Sequence, residues 1–166
     1  MRVSAISGVE TFRFEPHEDS RGLWQRVWDR DVVSVLGFSS DVAQISVSHN
    51  PLQGTLRGLH YLDFEVGETK FVFCSSGSVQ DVLLDVRAGS PTFGDYVDLQ
   101  LDPGDGVAIQ PGIAHGFLSL KPNSLLIYIM TAQYNQEAEK RIHWNDSRFG
   151  IKWRRAPMQV SEKDGG

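Results

Sequence analysis

A chain of 166 residues with 40% apolar side chains can bury a core of its own, and its single cysteine, Cys74, has no second thiol for an internal bridge. The formal charge of −5, with 16 Lys and Arg dispersed among 21 Asp and Glu, excludes a broad nucleic-acid footprint, although a few converging cations would still hold a phosphate-bearing small molecule. No apolar run is long enough to span a bilayer as a helix and no leading segment has the order of a secretory signal, so one domain over residues 1–166, cytoplasmic and with no membrane or nucleic-acid partner, is expected.

Sixteen glycines and seven prolines punctuate short apolar-polar alternations, the pattern of strands joined by tight turns. Residues 9–14 read as an edge strand, 17–22 as a polar turn, 23–28 as a second strand and 29–36 as a short helix stopped by Gly37. From Val42 the alternation sharpens: Ala43, Ile45 and Val47 point one way, Gln44, Ser46 and Ser48 the other. That polar face is either wet or the lining of a ligand cavity. Residues 55–61 carry the densest chemistry, and alternation sends Arg57 and Tyr61 to one face of the strand, Gly58 and His60 to the other.

An acidic loop over 62–69 leads to strands at 70–75, 78–87, 96–101, 107–110, 118–120 and 124–133. Turns such as Ser90-Pro91-Thr92-Phe93-Gly94 and Asp102-Pro103-Gly104-Asp105 separate them. On the last strand Leu126, Tyr128 and Met130 share a face. After Asn135 the strand character fades; a helical turn is expected over 136–141, with Trp144 and Trp153 packing the tail back onto the body. The spacing predicts an all-β, double-stranded β-helix of jelly-roll, cupin-like type with a short, partly helical C-terminal tail.

His60, Lys70, His115, Tyr128 and the pair Lys163-Asp164 fall where a jelly roll opens. A histidine held by a carboxylate is a general base, a phenol across a cavity returns a proton to the other side, and a lysine steadies the oxyanion formed beside a carbonyl. Each also has a plainer role: Tyr128 as core, Lys70 as a solvated strand end, Asp164 as a tail residue. A second chemistry draws on the same imidazoles. Cupin enzymes hold a metal with two or three His and a Glu, and Pro111-Gly112-Ile113-Ala114-His115 is similar to half such a site, with His60 and Glu65 or Glu68 to complete it for a metal-dependent isomerase or oxygenase. Because Leu62 stands two residues after His60, where a second histidine is normal, the set is underfilled, and no metal is expected.

Asp19-Ser20-Arg21-Gly22-Leu23-Trp24, Leu56-Arg57-Gly58-Leu59-His60-Tyr61, Asp85-Val86-Arg87-Ala88-Gly89-Ser90-Pro91-Thr92-Phe93-Gly94, Ala114-His115-Gly116-Phe117 and Ser161-Glu162-Lys163-Asp164 occur in that order. With them the chain resembles the nucleotide-sugar epimerases typified by dTDP-4-dehydrorhamnose 3,5-epimerase, over most of its length. The resemblance implies a cofactor-free inversion at C3, C5 or both of a nucleoside-diphosphate 4-keto-6-deoxyhexose, through an enolate. It implies His60 as base, Asp164 as its orienting carboxylate, Tyr128 as acid and Lys70 near the C4 oxygen. Arg21, Arg57 and Gln44, with Lys163, resemble the diphosphate contacts. Ser48 belongs to the same polar strand motif, and His115 lies near the sugar. Trp24 and Tyr134 resemble the aromatic residues that stack on the nucleobase. The family is usually a homodimer with an exchanged N-terminal strand, which would bring Trp24 from the neighbouring subunit. The chain departs from the family at Ser46, where Asn is usual, and at Gln25-Arg26, where a Glu is common.

Overall fold

Two antiparallel sheets face each other across residues 6–165, the span that the computed structural model describes. In chain order the strands are β1 (Val9–Arg13), β2 (His17–Asp19), β3 (Gly22–Trp24), β4 (Gln44–Asn50), β5 (Thr55–Leu62), β6 (Lys70–Ser76), β7 (Val79–Asp85), β8 (Tyr96–Leu101), β9 (Asp105–Ile109), β10 (Ile113–Ser119), β11 (Ser124–Met130), β12 (Glu139–Arg141) and β13 (Gln159–Val160). Two short helices, α1 (Arg30–Val35) and α2 (Glu162–Gly165), accompany them. One sheet runs β1-β9-β6-β11-β4 and the other β12-β5-β10-β7-β8, with β13 parallel on β5 and β2-β3 as a separate hairpin. From β4 to β12 each strand passes to the other sheet except at the β7-β8 hairpin, which is the expected all-β jelly roll. Among the described residues no helix is long and apolar enough to cross a membrane.

The pleat explains the layering. Val72, Cys74, Val79, Leu83, Val107, Phe117 and Leu126 turn inward and form the core between the sheets. The outer face of the first sheet is covered by Val33 and Phe38, packed on Phe71, Ala108 and Ile129. Val33 comes from α1, whose start is fixed by Asp29, a cap that accepts from the amides of Asp31 and Val32. The outer face of the second sheet, Leu59, Val82, Leu84 and Ala114, lies under Ile142, Trp144, Phe149, Ile151 and Trp153 of the tail. Trp153 Nε1 donates to the Trp144 carbonyl at 2.9 Å, and Gln80 ties the tail's Lys152 and Arg154 backbone to β7. Sheet and tail together therefore bury β7 on both faces, and the tail returns to set α2 beside β5.

The longest motif of the resemblance closes a turn. Asp85, fully buried at the end of β7, accepts from Arg87 through its amide and guanidinium and from the hydroxyls of Ser90 and Thr92. Burial alone would push its carboxyl up, but these donors outweigh burial and hold it far below the usual carboxylate range. Arg87 also reaches the Ser7 carbonyl, so the clasp pins the segment entering β1.

Three local expectations are corrected. The helical turn expected over 136–141 is confined to a turn at 136–138; Glu139–Arg141 pairs with Leu62, Tyr61 and His60 as β12, a strand made by its partner and not by the propensity of Glu-Lys-Arg. The polar turn at 17–22 is the body of the β2-β3 hairpin, and the strand expected over 23–28 ends at Trp24. The third correction concerns β5. Arg57 sits opposite Phe117 and His60 opposite His115, so three steps along β5 match two along β10. This bulge cancels the alternation, and Arg57 and His60 line the same cavity instead of opposite faces.

Gly58 makes that bulge possible. Its φ is 114°, and a Cβ there would lie 2.5 Å from the Gly116 Cα and 2.8 Å from the His115 carbonyl oxygen, both backbone atoms that cannot swing away. Gly58→Ala is expected to destabilise the fold by at least about 2 kcal/mol, from left-handed strain together with overpacking. Urea titration checks this; a variant as stable as the parent would mean that the bulge tolerates a side chain.

Candidate active site

A cavity of about 670 Å³ opens between the two sheets, within the size range of small-ligand sites. Gln44 and Ser48 reach it from β4, Arg57 and His60 from β5, Lys70 from β6, His115 from β10, Tyr128 from β11, and Lys163 and Asp164 from α2, with Tyr134 at its rim. Of the polar face of β4, Gln44 and Ser48 therefore line the cavity, while Ser46 is exposed outside it. Arg21 and Trp24 are the exceptions. They sit on the β2-β3 hairpin beside a separate depression, Arg21 paired with Asp19 and Trp24 packed on His17 at 62% exposure.

His60 Nε2 lies 2.6 Å from Asp164 Oδ1, and the second carboxylate oxygen accepts from the Gly58 amide at 3.3 Å. The Asp164 amide in turn donates to the Ser161 carbonyl and hydroxyl oxygens, so backbone and side chain both fix this carboxylate. Burial lowers the pKa of His60, and the hydrogen bond and charge of Asp164 only partly restore it. The shift favours the neutral imidazole. The carboxylate holds its proton on Nε2, which leaves the lone pair on Nδ1.

A second imidazole-carboxylate pair stands directly opposite. His115 Nε2 is 2.6 Å from Asp81 Oδ1, both buried, and the other Asp81 oxygen has no hydrogen-bond partner among the described residues. The His115 ring meets the Tyr128 ring edge-on, with centroids 5.8 Å apart. Burial pushes the Tyr128 phenol well above its usual range, Asp81 adds to the rise, and Arg57 opposes it. The shift favours the protonated phenol. Lys70 Nζ is 2.9 Å from Glu68 Oε2, both withdrawn from solvent, and Arg57 Nε donates to Asn50 Oδ1 at 3.0 Å.

Four partners escaped sequence reasoning in these roles: Asp81, Asn50, Glu139, which holds Lys163 Nζ at 2.9 Å, and Glu68, the last weighed only as a metal ligand. Asp81 carried a usable signal, since an acid flanked by Gln80, Val82, Leu83 and Leu84 on a buried strand needs a partner. Glu139 carried none once its segment was read as helical. The metal reading does not fit the donors. Among the described residues no three His, Cys, Asp or Glu side chains converge on a point that an ion could occupy. Glu68, a carboxylate that would complete the set, is paired with Lys70 at 2.9 Å.

The family profile described as dTDP-4-dehydrorhamnose 3,5-epimerase matches residues 3–166. The chain belongs to this family. A dTDP-4-dehydrorhamnose 3,5-epimerase from Mycobacterium tuberculosis is 40% identical over 140 residues, which span 82% of this chain and 69% of the relative. Two solved epimerases superpose closely. ChmJ, a 3'-monoepimerase from Streptomyces bikiniensis in complex with dTDP-quinovose, gives a TM-score of 0.90 at 30% identity, covering 99% of this chain and 84% of ChmJ. The dTDP-6-deoxy-D-glucose-3,5-epimerase RmlC of Legionella pneumophila, in complex with dTDP-4-keto-L-rhamnose, gives 0.89 at 32%, covering 97% and 87%. The dTDP-4-dehydrorhamnose 3,5-epimerase family thus includes the present chain as an isomerase, with relatives acting on one sugar carbon or two.

Proposed function

We propose that this epimerase inverts C3, alone or together with C5, of a dTDP-4-keto-6-deoxyhexose without metal or cofactor, with His60 as base and Tyr128 as acid. What supports this is the pairing, in one cavity, of an imidazole kept neutral and a phenol kept protonated. The C4 ketone acidifies the neighbouring C–H bonds. His60 Nδ1 takes the proton, the C–H electron pair moves into an enolate, and the growing charge on the C4 oxygen falls to Lys70. Glu68, 2.9 Å from that amine, limits where it can swing. Tyr128 then gives its proton to the opposite face of the carbon, which inverts the centre, and solvent resets the imidazolium and phenolate.

Arg57, Gln44, Ser48 and Lys163 serve the diphosphate end, Tyr134 the nucleobase, and His115 the sugar. Arg21 and Trp24 complete the neighbouring subunit's site in a homodimer with an exchanged N-terminal strand. Ile45 and Val47, 64% and 63% exposed on the edge strand β4, supply apolar surface for that association.

Neutral His60 gives the pH dependence a definite sign. Below its folded pKa the imidazole is protonated and cannot accept a proton, so kcat/KM falls on the acid side. The midpoint of that limb is expected below 6.5, the value of an unperturbed histidine; a midpoint above it would point to another group. The function itself is tested by NMR in D2O on dTDP-, CDP- and GDP-4-keto-6-deoxy sugars, with chelator present. Deuterium entering C3, or C3 and C5, of the dTDP sugar is expected. Exchange abolished by chelator would favour a metal-dependent reaction, and binding without exchange would leave only a sugar-nucleotide binding protein.

A further inference from the structure

Glu139 stands at the rim of the cavity with its side chain 8% exposed and gathers donors from three directions. Arg141 Nη2 reaches it at 2.8 Å, Lys163 Nζ contacts both of its oxygens at 2.9 and 3.2 Å, and the Tyr134 hydroxyl donates at 3.2 Å. None of the proton transfers above uses it. Topology explains its place: β12 sets Glu139 opposite Leu62 and Arg141 opposite His60, while α2 carries Lys163 next to Asp164. Glu139 thereby grips the residue adjacent to the carboxylate that orients the imidazole.

We propose that Glu139 is a positioning residue for the base: through Lys163 it fastens α2 so that Asp164 keeps its 2.6 Å contact with His60, and its charge offsets the cations beside the imidazole. The inference rests on His60 being the base. A four-residue turn of helix has almost no stability of its own, so its position depends on its ties. Besides the Lys163 anchor these are the contacts of Asp164 with His60, Gly58 and Ser161, the β13-β5 pairing just before it, and His143 Nε2 at 3.3 Å from the Gly165 carbonyl.

The titratable and charged groups around His60 come from several neighbouring elements: Asp164 and Lys163 on α2, Glu139 and Arg141 on β12, His115 on β10, Lys70 on β6, Tyr128 on β11, and Arg57 on its own strand. Of these Glu139 raises the affinity of His60 for a proton and Lys163 lowers it. Burial pushes the Glu139 carboxyl up, but Arg141 and Lys163 bring it down to about 2, so the anion persists at any working pH. The same grip makes Lys163 less free than Arg57 to serve a diphosphate.

The test is an NMR titration of the His60 ring in parent and Glu139→Gln protein, with pH profiles of kcat and KM. Loss of the anion and slackening of Asp164 act in the same direction. Glu139→Gln is expected to lower the His60 pKa by about half a unit or more and kcat about tenfold, with little change in KM. Glu139→Asp, which keeps the charge, is expected to recover most of the pKa. Should Glu139→Gln fail to fold, Lys163→Gln cuts the same tie at an exposed position, and a several-fold loss of kcat at saturating substrate is expected, apart from any change in KM that its place at the diphosphate end brings. Parental pKa and kcat in folded Glu139→Gln, or parental kcat in Lys163→Gln, would overturn the proposal. The titration needs no turnover, so the two ideas fail separately. Exchange surviving in a His60→Ala variant would remove the base assignment, whereas a dead His60→Ala with a normal Glu139→Gln would remove only the role of Glu139.

Discussion

Alanine at position 60 is expected to slow deuterium incorporation into the sugar about a thousandfold or more, the size of a lost general base, while the protein still folds. The imidazole is the group held neutral by burial and kept in one tautomer by Asp164. A second imidazole of the cavity, His115, has its ring set edge-on against Tyr128. Folding, by contrast, draws on Leu56 and Leu59 of the same strand, which are buried and untouched by the change. Exchange followed by NMR in D2O decides the matter, and a His60→Ala protein that exchanges at the parental rate would take His60 out of the reaction.

Phenylalanine at position 128 has a different expected signature, because it removes a proton donor and leaves the ring. Packing against the core between the sheets and the edge-on contact with His115 need only the ring, so stability should change little. Inversion is expected to fall about a hundredfold to a thousandfold, while exchange from the His60 side continues with retained configuration. Washing deuterium into C3 of the unreacted sugar without forming the epimer would separate the two proton transfers. Equal loss of exchange and inversion would move Tyr128 from the return of the proton to its removal.

Which features were readable in the chain follows from what fixes each of them. The strands β4 to β9 and β11 were legible from alternation or from apolar runs bounded by turns, as along Leu126, Tyr128 and Met130, whereas β10, buried at every position, was read only at 118–120. Trp144 and Trp153 announced that the tail packs back, since rings of that size seldom remain in water. The side on which Arg57 falls was not legible, because a bulge at Gly58 depends on the close approach of Gly116 on another strand. β12 was equally hidden: three charged or polar residues become a strand only because β5 offers an edge. In the site, His60 and Asp164 lie 104 residues apart, and no local pattern joins them; family resemblance supplied that pair. The long motif from Asp85 to Gly94 identified the family yet serves a turn, which separates what marks a chain from what acts in it.

The most direct measurement is a crystal structure with a dTDP-6-deoxyhexose that lacks the C4 ketone and therefore cannot react. The expected result has His60 Nδ1 and the Tyr128 hydroxyl on opposite faces of one hexose ring, each within about 3.5 Å of C3. A ring with both groups on the same face, or lying beyond the reach of either, would contradict inversion by this pair.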